Sequence, residues 1–314
     1  MTPRAAKCRR TLAALVALGL LTTQATRAAA QTATCGSQVR TATVNGATLH
    51  YTECGRGEPL VFVHGGLGDL QTFNGQLAAF ATEYRVIAYS RRFHPPNAPP
   101  GAGAVNALQD HSDDLLALLR SLTGASPAHL VGNSSGAYIA LAFAMQHPEA
   151  VRSLVLGEPP VFSLLGRTAV GSAALESWNT RVLDPTRRAF ESGDSEEALR
   201  RFLNGISGAA VFDQLPQPAR ARLMEYAPEF RSEMLTEPSR YLPPLACENI
   251  AQLKRPILLV SGERSPAMLL LITGELERCL DGESHVMVPN AGHGMHGDNA
   301  AFYNRVVLAF LRRQ

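Results

Sequence analysis

Apolar and polar positions alternate on either side of Asn45-Gly46, over residues 39–44 and 48–52. An Asn-Gly pair between two alternating runs predicts a tight β-hairpin. Short apolar runs follow at 60–63, 84–89, 129–131, 153–156, 256–260 and 285–288. A strand apolar on successive residues must bury both faces, as the strands of a parallel sheet do. Between these runs the period changes. Leu115, Leu118, Leu119 and Leu122 share one face of a helix over 110–122, and Ala137, Ala140, Leu141 and Ala144 recur at helical spacing until Pro148. Further helices are expected up to Leu280 and over about 299–311, the last capped by Asp298. Strands alternating with helices predict an α/β fold: a mostly parallel sheet with helices on both faces.

Between 161 and 250 the strand signal disappears. The segment is polar-faced and helical, with an N-cap at Asp194 or Ser195 ahead of EEALRRFL and breaks at Pro216, Pro218, Pro228 and Pro238. It reads as a helical cap inserted between two strands. The core domain then comprises 31–160 and 251–314, and the cap 161–250.

The first thirty residues follow another logic. Arg4, Lys7, Arg9 and Arg10 precede an apolar run over 12–21 and the small residues Ala28-Ala29-Ala30. That pattern predicts a secretory signal peptide, too short for a membrane span. Arg9-Arg10 also fits a twin-arginine signal, so both export routes stay open. Cleavage would turn the formal charge of +2 into −3, because the leader carries basic residues and no acidic ones. The mature chain is expected in a secreted or periplasmic location, without a stable membrane anchor. It has no basic patch for nucleic acid. Export permits disulfides among Cys35, Cys54, Cys247 and Cys279. The hairpin register brings Cys35 near Cys54, and elimination leaves Cys247 with Cys279. No Cys or Cys/His spacing suggests a metal, and no cofactor is expected.

The chemistry is in the turns that end the strands. Run 60–63 ends in His64-Gly65-Gly66-Leu67-Gly68-Asp69, run 129–131 in Gly132-Asn133-Ser134-Ser135-Gly136, and run 153–156 in Gly157-Glu158-Pro159. The last two strands end in Gly262-Glu263-Arg264-Ser265 and Ala291-Gly292-His293. In an α/β sheet, ligands collect at the carboxyl ends of the strands. G-x-S-x-G between strand and helix is the nucleophile-elbow pattern, and only Ser134 has glycine at both flanking positions.

With these motifs the mature sequence resembles the α/β-hydrolases along nearly its whole length. The resemblance implies Ser134 as nucleophile, His293 as base, and an oxyanion hole from the backbone N–H groups of Gly66 and Ser135. The usual acid position of the family, fourth in the turn after the penultimate strand, is held by Ser265. Some members take the acid from the strand after the elbow helix, which points to Glu158, with Glu263 as the alternative. A serine nucleophile implies acyl transfer. The HGG-LGD loop, the doubled serine and the glutamate are similar to lactone hydrolases of the zearalenone-cleaving type. The expected substrate is a small-molecule ester or lactone. The alternatives are a C–C bond hydrolase or perhydrolase with the same triad, and a ligand-binding protein on the hydrolase scaffold.

The remaining histidines read as structural. His64 is expected to hydrogen-bond within its loop, and His296 is the rival to His293. His94 and His111 are expected to be exposed or locally bonded near the pocket, and Arg91 and Arg92 to lie in a solvated loop. His129, His147 and His285 flank strand or helix ends.

Overall fold

The computed structural model describes residues 35–314 apart from 102, 125, 209, 282 and 283; the expected signal peptide lies outside the described residues. Eight strands form one sheet: β1 (Val39–Val44), β2 (Ala47–Gly55), β3 (Pro59–Val63), β4 (Arg85–Tyr89), β5 (Ala128–Asn133), β6 (Val151–Gly157), β7 (Ile257–Gly262) and β8 (Ser284–Val288). Their order is β1-β2-β4-β3-β5-β6-β7-β8. The hairpin turns at Asn45-Gly46, with Val44 opposite Ala47. β2 pairs antiparallel with β4, and from β4 to β8 all pairings are parallel.

Because side chains alternate across a strand, each apolar run divides between two cores. Val61, Leu130, Leu154, Leu156 and Leu259 point to one face. Phe62, Val131, Val155, Leu258 and Val260 point to the other. The second face is covered by α1 (Asn74–Phe80), a short helix that the hydrophobic period does not reveal, and by the C-terminal helix. The first is covered by α2 (Leu108–Thr123) and α3 (Ser135–Gln146). From Ser135 to Ala144 every residue of α3 is buried. Its alanines keep the helix thin enough to be enclosed on all sides.

The segment between β6 and β7 is helical: α4 (Ala169–Trp178), α5 (Asp184–Glu191), α6 (Ser195–Ser207), α7 (Val211–Gln214), α8 (Gln217–Met224), α9 (Ala227–Leu235), α10 (Pro238–Tyr241) and α11 (Cys247–Ile250). Of the two expected caps for α6 it is Asp194 that serves, accepting the Glu197 N–H at 3.0 Å. Part of the insertion has its own small core, in which Phe190, Leu199, Phe212 and Phe230 are fully buried or nearly so. Helices α12 (Ala267–Cys279), α13 (Met295–Asp298) and α14 (Ala300–Leu311) complete the chain. The cap of α14 is Asn299, not Asp298: its side chain accepts the Phe302 N–H, while Asp298 turns back to accept the Gly292 N–H at 2.8 Å. Disulfides join Cys35 to Cys54 and Cys247 to Cys279. No helix among the described residues is long and apolar enough to cross a membrane.

Candidate active site

Ser134 stands between β5 and α3 with φ 55° and ψ −131°. A non-glycine residue in that region is strained and stays there only because its surroundings leave no alternative. Here the constraint is contact. A Cβ on Gly136 would lie 2.1 Å from the Val63 carbonyl, and one on Gly132 would lie 2.6 Å from the Ala137 Cα. Both glycines are therefore required for α3 to start directly against the ends of β3 and β5. Ser135 is the first residue of α3. The first N–H groups of a helix have no partner within it and point outward along its axis.

Two other strand ends contribute to the same place. Glu158, at the end of β6, is completely buried and also holds a positive φ, 47°. The following proline normally keeps a residue extended, so this conformation was not foreseeable from Glu158-Pro159. Its Oε2 lies 2.6 Å from Nδ1 of His293 in the loop after β8, and its Oε1 accepts the Gly262 N–H at 2.9 Å. That leaves Nε2 as the uncommitted nitrogen of His293. Glu263 sits elsewhere: it is exposed, and its Oε2 accepts the Asn290 N–H at 2.8 Å. His296 packs against the ring of Phe73, with 4.7 Å between centroids. Desolvation, together with the neighbouring His293, lowers its pKa to about 4.

Beneath the His64-Gly65-Gly66 loop lies a polar network that sequence reasoning missed. Arg91 is 1% exposed, not solvated, and its Nη2 donates to Glu233 at 3.0 Å, to the Gly65 carbonyl at 3.2 Å and to Ser135 Oγ at 3.4 Å. His94 is fully buried: its Nδ1 donates to the Gly68 carbonyl at 2.9 Å and its Nε2 is 2.8 Å from Glu229. His111 is buried beside Asn106 and Arg91. Arg92 makes a two-pronged bond to Asp114 on α2. The expectation of solvated side chains fails because α9, from the insertion, brings Glu229 and Glu233 over this loop. Only the doubled charge of Arg91-Arg92 beside histidine was visible locally; the glutamates that bury it come about 140 residues later.

The charges of this network largely cancel. Burial opposes ionisation of Glu233, but Arg91 and His94 override it and hold this carboxyl below the usual range. Burial and the neighbouring Glu233 instead raise Glu229, to about 7. For His94, burial and Arg91 act against the charge, yet the two glutamates outweigh them and its pKa rises. His64 is lowered well below its ordinary value by burial, then by His94 and Arg91. Its Nε2 accepts the Arg91 N–H at 2.9 Å, which places its proton on Nδ1 for donation to the Gly65 carbonyl at 2.8 Å. His94, Glu229 and Glu233 also have donor atoms within 4.8 Å of one another, a spacing compatible with a metal. Arg91 already supplies the countercharge there, and a dication would leave a buried net positive charge.

A cavity of about 630 Å³ separates the strand ends from the insertion. Ser134, Ser135, Gly66 and His293 line its floor, and Trp178, Phe202, Leu203, Phe230, Met234 and Leu242 are among the apolar side chains from the insertion. Glu233 also lines it, with Oε2 3.1 Å from where a Gly66 Cβ would be. The structure thus brings Ser134, Ser135, Gly66, Glu158 and His293 to one rim of the sheet, and leaves Glu263 outside.

Residues 58–300 match the family model described as the alpha/beta hydrolase fold. The uncharacterized hydrolase YraK of Bacillus subtilis is 37% identical over 122 residues, covering 39% of this chain and 45% of that protein, so the match spans less than half of YraK. A 2-hydroxy-6-oxononadienedioate/2-hydroxy-6-oxononatrienedioate hydrolase of Burkholderia vietnamiensis is 26% identical over 286 residues, covering 84% of this chain and 91% of the relative. Among solved structures, Est816, described as an N-acyl homoserine lactone degrading enzyme, superposes with a TM-score of 0.68 at 20% identity, covering 86% of this chain and all of that one. With the family model running from before β3 to the start of α14, across all six strands from β3 to β8 and the insertion, the chain belongs to the α/β-hydrolase fold family.

Proposed function

We propose that this protein is a secreted or periplasmic serine hydrolase that cleaves carboxylic esters or lactones with a Ser134–His293–Glu158 triad. The observation that carries the reading is the 2.6 Å bond from His293 Nδ1 to the buried Glu158, made at the edge of the cavity that Ser134 lines. The pair fixes the tautomer: the proton stays on Nδ1, and Nε2 is left as base. Ser134 Oγ attacks the carbonyl carbon while His293 Nε2 takes its proton, and the carbonyl oxygen becomes an oxyanion held by the N–H groups of Gly66 and Ser135. Collapse expels the alcohol, which takes the proton back from His293 and leaves an acyl-enzyme. Water, deprotonated by His293, attacks the acyl carbon in its turn, and the acid leaves as Ser134 recovers its proton. In a lactone the alcohol and acid are one molecule. Residues 161–250 act as the cap over a core of 31–160 and 251–314, and the apolar lining of the cavity suits a substrate with an apolar body.

A second reading, C–C bond hydrolysis with the same triad, is favoured by the Burkholderia relative, whose named substrates are dicarboxylates. The test is hydrolysis of p-nitrophenyl butyrate and a panel of lactones, with fluorophosphonate labelling. Ser134→Ala is expected to abolish labelling and to lower turnover by about a thousandfold or more. Unchanged turnover would reject the reading, and activity confined to a vinylogous 1,5-diketone would select the C–C alternative.

A further inference from the structure

We propose that Arg91 is a positioning residue for the oxyanion hole, and that cap helix α9 holds it in place through Glu233. The inference rests on the serine-hydrolase reading above. It begins with the geometry of one peptide unit. The Gly65–Gly66 peptide is trans, so the Gly65 C=O and the Gly66 N–H point in opposite directions. The Gly65 carbonyl is held on its buried side by two donors, His64 Nδ1 at 2.8 Å and Arg91 Nη2 at 3.2 Å. Whatever fixes that oxygen also fixes the Gly66 N–H, turning it away from Arg91 and towards the cavity floor. The same guanidinium reaches Ser135 Oγ at 3.4 Å. One planar group therefore touches the peptide unit that carries the Gly66 N–H, through the Gly65 carbonyl, and the side chain of Ser135, without touching substrate.

Arg91 in turn depends on the cap. Its strong partner is Glu233 of α9, 142 positions away in sequence, at 3.0 Å with both side chains about 1% exposed. A buried guanidinium without that carboxylate would seek water or another anion and would leave Gly65. Its main-chain N–H adds a further tie, to Nε2 of His64, so the two donors on Gly65 support each other. Glu229 and His94 complete the cluster and keep Glu233 ionised opposite Arg91. Seating of the cap is thereby linked to the aim of a main-chain amide beside Ser134, on the loop against which α9 packs. Lysine is a poor substitute, because its single ammonium cannot span Gly65, Ser135 and Glu233 as the guanidinium fork does.

The test uses the full mature chain with Arg91→Lys, Arg91→Met and the double variant Arg91→Met/Glu233→Gln. The double variant matters because Arg91→Met alone buries an unpaired carboxylate and can fail to fold. It removes both charges and keeps the cap contact uncharged. The measurements are kcat and KM on p-nitrophenyl butyrate, circular dichroism, and inhibition by a trifluoromethyl ketone, whose hemiketal oxyanion mimics the intermediate. In the folded double variant, kcat is expected to fall by roughly tenfold to a hundredfold with KM within about threefold, less than the roughly hundredfold to thousandfold cost of losing an oxyanion donor outright, because the amide is misaimed and not removed. Affinity for the trifluoromethyl ketone should fall by the same factor as kcat, and Arg91→Lys should lie between the two. A merely structural role would lower thermal stability without that parallel loss. A folded double variant with kcat within twofold of wild type overturns the proposal, as does a rise in KM at constant kcat. Hydrolysis that depends on Ser134 but not on Arg91 rejects this inference alone; hydrolysis that survives Ser134→Ala rejects the serine reading and this inference with it.

Discussion

Glu158 commits one oxygen to the Gly262 N–H and the other to His293 Nδ1, and has no exposed surface. A glutamine there keeps the size but offers only one oxygen, and an N–H2 group facing an N–H is repulsive unless the imidazole changes tautomer. The wrong tautomer puts a proton on Nε2 and removes the base. Glu158→Gln is therefore expected to lower kcat by about a hundredfold to ten-thousandfold. Glu263→Gln, at an exposed position bonded to a loop amide, should stay within about threefold. Steady-state rates of the two variants check this, and the reverse ranking would place the acid on the other strand. The convergence of Ser134, Glu158 and His293 at one rim was legible because each lies in a short local pattern at a strand end. Arg91 was not, because its burial is imposed by Glu233, far along the chain and in a segment without such a pattern. Glu229 adds a prediction on pH. Burial and Glu233 raise its folded pKa to about 7, above the ordinary value of 4.5. Across that window the folded protein holds a proton that the unfolded chain has released, so its contribution to stability is full below about 4.5 and is lost as pH rises through 7. Glu229→Gln, which imitates the protonated form, should match wild type near pH 5 and melt higher at pH 8, by roughly 2–4 °C for each kcal/mol relieved. Melting curves at the two pH values test it, and an equal offset at both would show that the carboxyl does not titrate there.

At the level of elements, the turn between β5 and α3 shows how tightly the strand ends are packed. Gly136→Ala would push a methyl into the Val63 and His64 carbonyls, 2.1 and 2.3 Å away, and backbone has little room to move. The expected cost is about 1–3 kcal/mol or more, together with loss of activity as Ser134 shifts. Asp194→Ala is the contrast. It removes a single cap from α6, costs about 1 kcal/mol and leaves kcat unaltered. Denaturant melts with rate measurements distinguish the two. Strands and long helices could be read from their apolar period, since both faces of each central strand are buried. Helix α1 could not, because over seven residues Asn74, Gly75 and Gln76 hide the period that Leu77 and Phe80 complete. The end of the chain presented a different ambiguity. Asp298 and Asn299 are both good caps, and only the demand of the Gly292 N–H for an acceptor removes Asp298 from α14.

The whole molecule is joined across the insertion. β6 and β7 are parallel neighbours, so the chain leaves the sheet at the carboxyl end of β6 and re-enters at the amino end of β7, and the insertion's two attachments lie at opposite rims. Three kinds of tie then hold it down. Tyr226 and Arg222 of the insertion bond Asp69 in the loop after β3, with the Tyr226 hydroxyl at 2.8 Å. Arg91 and His94 hold α9 through its two glutamates. The third is the Cys247–Cys279 disulfide, which ties α11, just before the return to β7, to the end of α12. The two polar ties sit on the loop of residues 64–69, and the disulfide involves none of the residues around Ser134. Removing it should therefore separate stability from catalysis. The closed loop spans 32 residues, for which loop-closure entropy gives about 3–4 kcal/mol. Cys247→Ala/Cys279→Ala is expected to lower the melting temperature by roughly 5–10 °C while kcat on a short ester at 25 °C stays within about twofold. Arg91→Met/Glu233→Gln should show the opposite balance, a modest loss of stability with a large loss of kcat. Melting curves and initial rates on the two double variants, measured side by side, decide the matter. If the cysteine variant lost activity in proportion to the arginine variant, the insertion would be held as a single rigid body, and no particular tie would govern the aim of the Gly66 amide.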